Sequence, residues 1–234
     1  MEYTDKEFCL EVWGAMACFT RPEMKVERVS YDVITPSAAR AIFEAVFWKP
    51  AIHWQVTKIE VLNPIKWMNI RRNEVGAVSK GYPIYMEEKR QQKNSLMLSD
   101  VRYRIWARLE FIPVRKRKEK TTREPELCFE EKPQEHPDEN PGKYNAMFER
   151  RASKGQCFTQ PYLGTRECSA HFRLVNPDSE TLSPAIGDTR DLGYMLYDMD
   201  FEKDMRKPEA MFYHAVMNKG VIIVPSKDSG EVLR

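Results

Sequence analysis

One stretch of strict alternation limits the possible folds of this chain more than any other feature. Between Asp100 and Pro113 every second residue is apolar, and most of the residues between them are charged. A period of two predicts a long β-strand with one face in a core. The other face carries Trp106, Arg102, Arg104 and Arg108. Such a basic stripe is either solvated or meets a cover or a ligand.

Two helix starts interrupt the predicted strands. Thr35 is a good N-cap residue, and Pro36 suits the first turn because no N–H is needed there. Asn140 and Pro141 repeat this arrangement. Apolar residues at helical spacing follow each start, so we expect a helix after each, the second one ending at Gly155.

The remaining alternation completes the order of elements. Strands are predicted at residues 7–19, 53–62, 65–75 and 166–175, whereas residues 76–94 are typical of irregular structure. The resulting βαββαβ order with an inserted hairpin predicts an α+β, ferredoxin-like (RRM-type) domain at residues 1–175. Residues 176–234 predict a small C-terminal antiparallel β domain. Residues 115–140 carry a basic block followed by an acidic, proline-bearing block, which predicts a long mobile insertion.

Composition narrows the functions that the chain could have. Its 37 Lys and Arg residues nearly balance 35 Asp and Glu residues, so net charge alone does not indicate a nucleic-acid binder. No apolar run approaches the ~18 residues that span a bilayer, and the polar start lacks secretory-signal features. We therefore expect a cytoplasmic protein without membrane contact. The five cysteines and four histidines have no zinc-binding spacing, so we expect neither metal nor cofactor.

The chain lacks the motifs of several enzyme classes. No P-loop, zinc-protease, hydrolase-nucleophile or paired-carboxylate signature is present. Cations instead accompany aromatic residues near predicted element ends, as in Phe47-Trp48-Lys49 and Lys143-Tyr144. Sheets of this fold commonly bind single-stranded RNA, with phosphates on cations and bases on rings. Ordinary solvated charge explains the same pattern, so these features alone favour RNA binding only weakly.

Longer motifs resemble a known family. They are the strings ERVSYDVITPSAAR (27–40), FWKP (47–50), RRNEVG (71–76), RQQ (90–92), KYNAMFERRASKGQCF (143–158) and QPYLGTREC (160–168). They are similar to CRISPR-associated repeat-processing proteins of Cas family five, subtype d, the Dvulg form of type I-C systems. The resemblance implies a repeat-associated mysterious protein (RAMP) with a ferredoxin-like domain and a C-terminal β domain.

The resemblance also implies an activity and partners. Members cleave precursor CRISPR RNA at its repeat hairpin without a metal, and a 2′-hydroxyl attacks the adjacent phosphate. The products carry a 2′,3′-cyclic phosphate and a 5′-hydroxyl. The mature crRNA is then kept by its 5′ handle among the other subunits of a type I-C interference complex.

The resemblance assigns catalytic positions to three residues. The family set is a tyrosine ending the first helix and a Lys-His pair opening the second. Lys143 matches the lysine, at a helix N-terminus whose free amides attract phosphate. Phe47 stands at the tyrosine position; it cannot move a proton but can stack on a base. Tyr144 stands at the histidine position. It is a base only if Lys143 or nearby arginines stabilise its phenolate, and a core role is equally open.

Other residues complete the predicted site. We expect RNA phosphates to contact Arg28, Lys49, Arg71, Arg72, Arg150, Arg151, Lys154 and Arg166. The hydroxyl of Tyr31 and the imidazoles of His53 and His171 are possible substitutes for the missing groups, although both histidines suit structural roles better.

Two alternatives to RNA cleavage remain open. A non-catalytic subunit would only bind the crRNA handle, which the residues at positions 47 and 144 favour. A DNA nuclease would need a divalent metal and a carboxylate cluster, which the sequence does not show.

Overall fold

The predicted strands and helices form one sheet with two long helices packed on it. This computed structural model describes residues 6–113, 117, 139–201 and 206–234. The elements in chain order are β1 (Glu7–Ala17), β2 (Arg28–Val29), α1 (Pro36–Val46), β3 (Ile52–Val61), β4 (Lys66–Val75), α2 (Met86–Lys89), β5 (Arg90–Phe111), α3 (Pro141–Ser153), β6 (His171–Val175), β7 (Arg190–Asp200), β8 (Glu209–Asn218), β9 (Val221–Ile223) and β10 (Val232–Leu233).

The strands make a single ten-stranded, mostly antiparallel sheet, which confirms the α+β class. Its order is β10-β8-β9-β3-β5-β1-β6, with β7 paired to β8 and both β4 and β2 paired to β5. The C-terminal strands extend the same sheet, because β9 pairs with β3 over Lys58 to Glu60.

Both predicted helix starts are confirmed. The Thr35 hydroxyl accepts a hydrogen bond from the Ala38 N–H, and the Asn140 side chain accepts one from the Lys143 N–H. Each cap satisfies an amide that has no partner within its own helix. The second helix ends just before Gly155, which has a φ of +63° as the sequence predicts for a terminating glycine.

The strand β5 is longer than the alternation indicates. It begins at Arg90, so the prediction of irregular structure up to residue 94 is wrong at its end. The first part of β5 pairs with β4 from Arg90 to Ser99, and the second part pairs with β1 and β3. Residues 90–94 are all polar and mostly exposed, so they lack the apolar alternation that would mark them as part of a strand. The strand expected at residues 166–175 is also shorter, since β6 begins only at His171.

Aromatic residues from four elements form the centre of the core. The ring of Trp54 on β3 lies 4.5 Å from Phe148 on α3 and 4.9 Å from Phe43 on α1, measured between centroids. Phe8 on β1 lies 4.7 Å from Phe148. Both helices therefore cover the same face of the sheet, and the end of α1 lies beside α3.

The loop of residues 161–170 is fixed against the end of β1. The Cys18 N–H donates to the Leu163 carbonyl at 3.0 Å, and the Leu163 N–H donates to the Cys168 carbonyl at 2.7 Å. Gly164 follows with a φ of +87°, and a Cβ there would lie 2.1 Å from the Cys18 carbonyl oxygen. Only glycine fits this close approach. The loop is hereafter called the 161–170 loop.

The predicted insertion at residues 115–140 lies outside the described residues except for Arg117, Glu139 and Asn140. Within the described part of the chain, no helix is long and apolar enough to cross a membrane.

We expect Gly164→Ala to destabilise the protein more than Gly155→Ala. Both positions have positive φ, which costs an alanine about 1–2 kcal/mol, but only Gly164 also lacks space for a Cβ. Urea unfolding would measure the two free energies. Equal losses would show that the Cys18 carbonyl moves away at little cost.

Candidate nucleic-acid interface

Lys143 lies in the first turn of α3 with its side chain exposed. Its backbone N–H is held by the Asn140 side chain at 2.8 Å, which fixes the start of the helix. Pro141 at the first position brings no N–H of its own. The exposed ammonium group therefore adds a full charge to the positive end of a 13-residue helix, where an anion is favoured.

Tyr144 points into the protein beside Lys143 and is only 6% exposed. Its hydroxyl donates to Glu139 Oε1 at 2.7 Å, and Glu139 Oε2 lies 2.7 Å from Arg117 Nη2. Burial first, and then the hydrogen bond to Glu139, raise the pKa of Tyr144 to about 12. The cations nearby thus do not produce a phenolate. The structure places a neutral phenol next to a carboxylate, and the sequence analysis missed Glu139 because it falls in the predicted insertion.

Phe47, immediately after α1, packs against Tyr144 with 6.3 Å between ring centroids. The Phe47 ring is 2% exposed, and the Arg151 guanidinium lies 5.9 Å from its centre. A ring so enclosed has no face open for a nucleobase, so stacking on Phe47 does not fit this structure. The residues at the three predicted catalytic positions nevertheless lie together, from parts of the chain nearly a hundred residues apart.

Four of the predicted RNA-binding cations lie around the ends of α1 and α3. We call Lys49, Arg150, Arg151 and Lys154 the helix-end group. Arg151 Nη1 donates to the Val46 carbonyl at 3.3 Å and joins the two helix ends. Lys49 follows α1 by three residues, Lys154 caps α3, and both side chains are exposed. Cations at helix C-termini stabilise the helices, so this group has a structural role besides any role in binding.

The other four cations lie near the base of the β4–β5 hairpin. We call Arg28, Arg71, Arg72 and Arg166 the hairpin-base group. Arg28 and Arg72 both bind Glu167 Oε1, at 2.8 and 3.1 Å. Arg166 is exposed beside Glu167, and Arg71 is exposed on β4. Through this one carboxylate the 161–170 loop joins Arg28 to Arg72, whereas Arg71 faces the other side of β4.

Exposed aromatic rings accompany the helix-end group. Trp48 is 54% exposed and Phe158 is 80% exposed. The Phe158 N–H donates to the Ala45 carbonyl at 2.7 Å, which holds that residue against the end of α1. Exposed rings beside cations are the pattern used to bind single-stranded RNA. The sequence analysis did not single out Phe158, although it ends one of the family-like strings.

Two of the three arginines of the basic stripe on β5, Arg102 and Arg104, are paired with carboxylates of neighbouring strands. Arg102 and Arg173 both bind Glu11, which is buried on β1. Arg104 is also buried; it binds Glu60 on β3 and donates to the Ser183 carbonyl at 2.9 Å. These pairs neutralise Arg102 and Arg104, whereas the side chain of Arg108 is exposed.

The segment after β6 reaches this face of the sheet. The Ile186 N–H donates to the Val61 carbonyl at 2.9 Å, in addition to the contact of Ser183 with Arg104. Trp106 is partly buried, and the Lys58 ammonium lies over its ring, 4.0 Å from the ring centre. Of the two interpretations of the stripe, a cover supplied by the chain itself fits the structure.

The substitute groups lie in other environments. Tyr31 is buried, with Arg21 at 4.5 Å from its ring centre. His171 stacks on Trp13 at 5.8 Å on an edge strand. His53 lines a cavity of about 70 Å³ between α1, β3 and β7. Lys143 and Tyr144 are not among the described residues that line this cavity.

Four cysteines of the described chain are free thiols. Within residues 6–113, 117, 139–201 and 206–234, no three His, Cys, Asp or Glu side chains are grouped so that they could hold a metal ion.

Comparison with known sequences gives matches over nearly the whole chain. A family model described as CRISPR-associated protein (Cas_Cas5) matches residues 8–225. The CRISPR pre-crRNA endoribonuclease Cas5d of Mannheimia succiniciproducens is 43% identical, over 96% of this chain and 97% of the relative. The protein of the same name from Thermus thermophilus is 39% identical, over 96% of this chain and 94% of the relative.

Solved structures share the fold. The crystal structure of a CRISPR-associated protein is 26% identical with a TM-score of 0.68, and the match covers 99% of this chain and 98% of that one. Protein SMU1763c from Streptococcus mutans is 23% identical with a TM-score of 0.67, covering 99% of both chains. A chain of a CRISPR RNA-guided surveillance complex is 12% identical with a TM-score of 0.53, covering 94% of this chain and 90% of that one. At such low identities the last two likenesses concern the fold alone.

We expect Glu11→Gln to destabilise the protein at neutral pH by about 1–3 kcal/mol, because the buried carboxylate binds two arginines. Burial opposes ionisation of Glu11, but the hydrogen bonds from Arg102 and Arg173 outweigh it and lower its pKa. A lowered pKa in the folded state gives stability that is present above the ordinary value of 4.5 and is lost as the pH falls further.

Urea unfolding between pH 7 and pH 3 would test this prediction. The Gln variant should lose less stability than the wild type on acidification, and Glu149→Gln, at an exposed ion pair, should change little. Equal acid sensitivity of wild type and Glu11→Gln would contradict the prediction.

Proposed function

Because the chain belongs to the Cas5d family of CRISPR-associated proteins, we propose that it is an endoribonuclease that cleaves precursor CRISPR RNA. Both curated relatives are named for this activity and match almost the full length of the chain. The cut falls at the repeat hairpin, and the protein then keeps the 5′ handle of the crRNA.

The observation that supports the proposal most directly is the contact between the end of α1 and the start of α3, where Phe47 packs against Tyr144, the neighbour of Lys143. The exposed ammonium lies at a helix N-terminus, beside the Phe47–Tyr144 pair with centroids 6.3 Å apart. A phosphate at this place would meet a cation and the positive end of the helix together. Negative charge that builds up on the phosphate during cleavage is stabilised by the same groups.

The proposed reaction uses the RNA's own 2′-hydroxyl and no metal. The 2′-oxygen forms a bond to the adjacent phosphorus, and the bond from phosphorus to the 5′-oxygen breaks. The products are a 2′,3′-cyclic phosphate and a 5′-hydroxyl. The protein has to hold the three atoms in line and accept one proton while it supplies another.

Tyr144 and Glu139 give the proton a path. The Tyr144 hydroxyl already donates to Glu139 at 2.7 Å. As Tyr144 accepts the proton of the 2′-hydroxyl, its own proton passes to Glu139, so a phenolate with its high pKa is never needed. The leaving 5′-oxygen takes its proton from the Lys143 ammonium, which keeps the protons balanced. Arg117 holds Glu139 from the other side at 2.7 Å.

The arrangement of β1, α1, β3, β5, α3 and β6 supports the ferredoxin-like fold. Their strands have the order β3-β5-β1-β6, and both helices cover one face. We propose that this unit, residues 1–175, processes RNA and that residues 176–234 form the C-terminal β domain. The RNA lies on the helix side, at the ends of α1 and α3, because Glu11, Glu60 and the segment around Ser183 cover the other face.

The proposed partners follow from the substrate. They are the precursor repeat, the crRNA handle and the other subunits of a type I-C interference complex. The helix-end and hairpin-base groups supply the phosphate contacts. The cytoplasm is the proposed compartment, because the precursor RNA is transcribed there.

A second candidate is a subunit that binds the handle without cutting. Phe47 has no group that moves a proton, and Tyr144 is 6% exposed. Both facts favour binding over catalysis at this place, and the following experiment separates the two functions.

We expect the purified protein to cut its cognate repeat RNA at one position in the presence of EDTA. Lys143→Ala should lower the cleavage rate about 10²–10³-fold, because it removes the charge that stabilises the transition state. Lys25→Ala, at an exposed lysine in the loop before β2, should keep the wild-type rate. RNA with a 2′-deoxy sugar at the cut site should bind but stay intact.

Binding without any cut, by the wild type, would establish the handle-binding subunit instead. Cleavage of the 2′-deoxy RNA, or a strict need for a divalent cation, would overturn the 2′-hydroxyl mechanism.

We expect Tyr144→Phe and Glu139→Gln each to slow cleavage by at least 10²-fold, because each interrupts the same proton path. The double variant should be no slower than either single one, as for groups that act as a unit. Tyr213→Phe, at another buried tyrosine, should leave cleavage unchanged. Single-turnover rates would test this, and a wild-type rate for Tyr144→Phe would assign Tyr144 to the core alone.

A further inference from the structure

A pocket of about 220 Å³ lies on the exposed side of α1, next to the proposed site. Its lining consists of Ala41, Glu44, Ala45, Thr159, Pro161 and Tyr162. Pockets for drug-sized ligands are larger, at about 300–1,000 Å³, so this one suits a single ring system. Small side chains on the helix form its floor, and the start of the 161–170 loop forms its wall.

The ring of Tyr162 is held in place and remains open. Tyr162 is 39% exposed, whereas the next residue, Leu163, is buried in the core. An isolated bridge from Tyr162 to Ser169 and the close contact of Gly164 with Cys18 fix the backbone here. Phe158 directly precedes the lining residue Thr159, and its backbone N–H donates to the carbonyl of Ala45, which also lines the pocket. The partly exposed Tyr162 lines the pocket and could therefore stack on a flat ligand there.

The charges around the pocket fit a nucleic acid. The helix-end group lies beside it, since Arg151 binds the Val46 carbonyl one residue from Ala45. Glu44 brings a carboxylate into the pocket, and Arg40 holds one of its oxygens at 2.5 Å. Arg40 also binds both oxygens of Asp198, so Glu44 shares that cation and keeps acceptor capacity. A carboxylate accepts hydrogen bonds from the amino group of a base.

The pocket is close to the proposed cleavage site. Ala41 and Phe47 are six residues apart, which is about 9 Å along a helix that rises 1.5 Å per residue. That distance corresponds to one or two nucleotides of an extended strand.

We infer that this pocket holds one unpaired, amino-bearing nucleobase of the repeat RNA, within two nucleotides of the cleaved phosphate. Tyr162 stacks on the base, Glu44 accepts from its amino group, and the helix-end group binds the flanking phosphates. The inference rests on the proposed function and adds that the base held in the pocket positions the RNA and so determines which phosphate is cleaved.

The experiment combines changes in the RNA with changes in the pocket. Binding is measured with repeat RNA that carries a 2′-deoxy sugar at the mapped cut site, so that no cleavage intervenes. Each nucleotide around the cut is replaced in turn by an abasic one. With the wild-type protein, we expect one position at which the abasic RNA binds about tenfold or more weakly, as for loss of one stacked base.

Two pocket variants identify that position as the pocket's ligand. Ala41→Leu fills the pocket with a good helix former, and Tyr162→Ala removes the ring. Both variants should bind intact RNA as weakly as the wild type binds the abasic RNA. Removal of the base should then weaken their binding no further. Tyr162→Phe keeps the ring and should bind like the wild type. Thermal unfolding would show that each variant is folded.

The outcomes separate this inference from the proposed function. If the wild type cuts the repeat but the abasic effect is the same in Tyr162→Ala as in the wild type, the pocket has no base and only the inference fails. Uracil has no amino group. If RNA with uridine at the mapped position binds as tightly as RNA with an amino-bearing base there, the pocket does not recognise an amino group. If the wild type neither binds nor cuts the repeat, the proposed function fails first.

Discussion

The proposed site depends on the aromatic packing that joins α1 and α3 to the sheet. Trp54 contacts Phe43 and Phe148 at 4.9 and 4.5 Å between ring centroids, so one strand fixes both helices at once. Interiors are packed as densely as organic crystals, and such contacts leave the helices little freedom. The end of one helix is thereby held against the other, which places Phe47 beside Tyr144 and leaves Lys143 at the surface.

The covered face of the sheet gives this chain a different surface for binding. In RNA-binding sheets of the RRM type, bases stack on the open face. Here Glu11 pairs with Arg102 and Arg173, and Glu60 pairs with Arg104, which also donates to the Ser183 carbonyl. Among the cations proposed to bind RNA, the exposed ones include Lys49, Arg150 and Lys154 at the helix ends and Arg71 and Arg166 of the hairpin-base group. Under the proposed function, a single strand bound at such separate points could bend between them.

The sequence predicts local features of this fold well and long-range ones less well. The caps at Thr35 and Asn140 are confirmed. Such caps can be predicted from sequence because an N-cap side chain bonds an amide within three residues of itself. The arginine stripe on β5 lies on one face as predicted, but its middle member, Arg104, is neutralised by Glu60, 44 residues away. Residues 90–94 of β5 have no apolar side chain, so alternation could not reveal this part of the strand. Neither Glu139 nor Phe158 stands in a pattern of its own, and each gains its setting only through contacts made by folding.

The shared carboxylate of Glu167 has a consequence for how the hairpin base would receive a polyanion. Arg28 and Arg72 converge on one oxygen, at 2.8 and 3.1 Å, so two like charges are already close together before any RNA arrives. Their mutual repulsion is screened by the glutamate in the unbound protein. Under the proposed function, an RNA phosphate that took the place of this carboxylate would find the two guanidinium groups already assembled. Glu167 would return to them once the RNA left, so it would act as a resident substitute for the anion and keep RNA binding reversible.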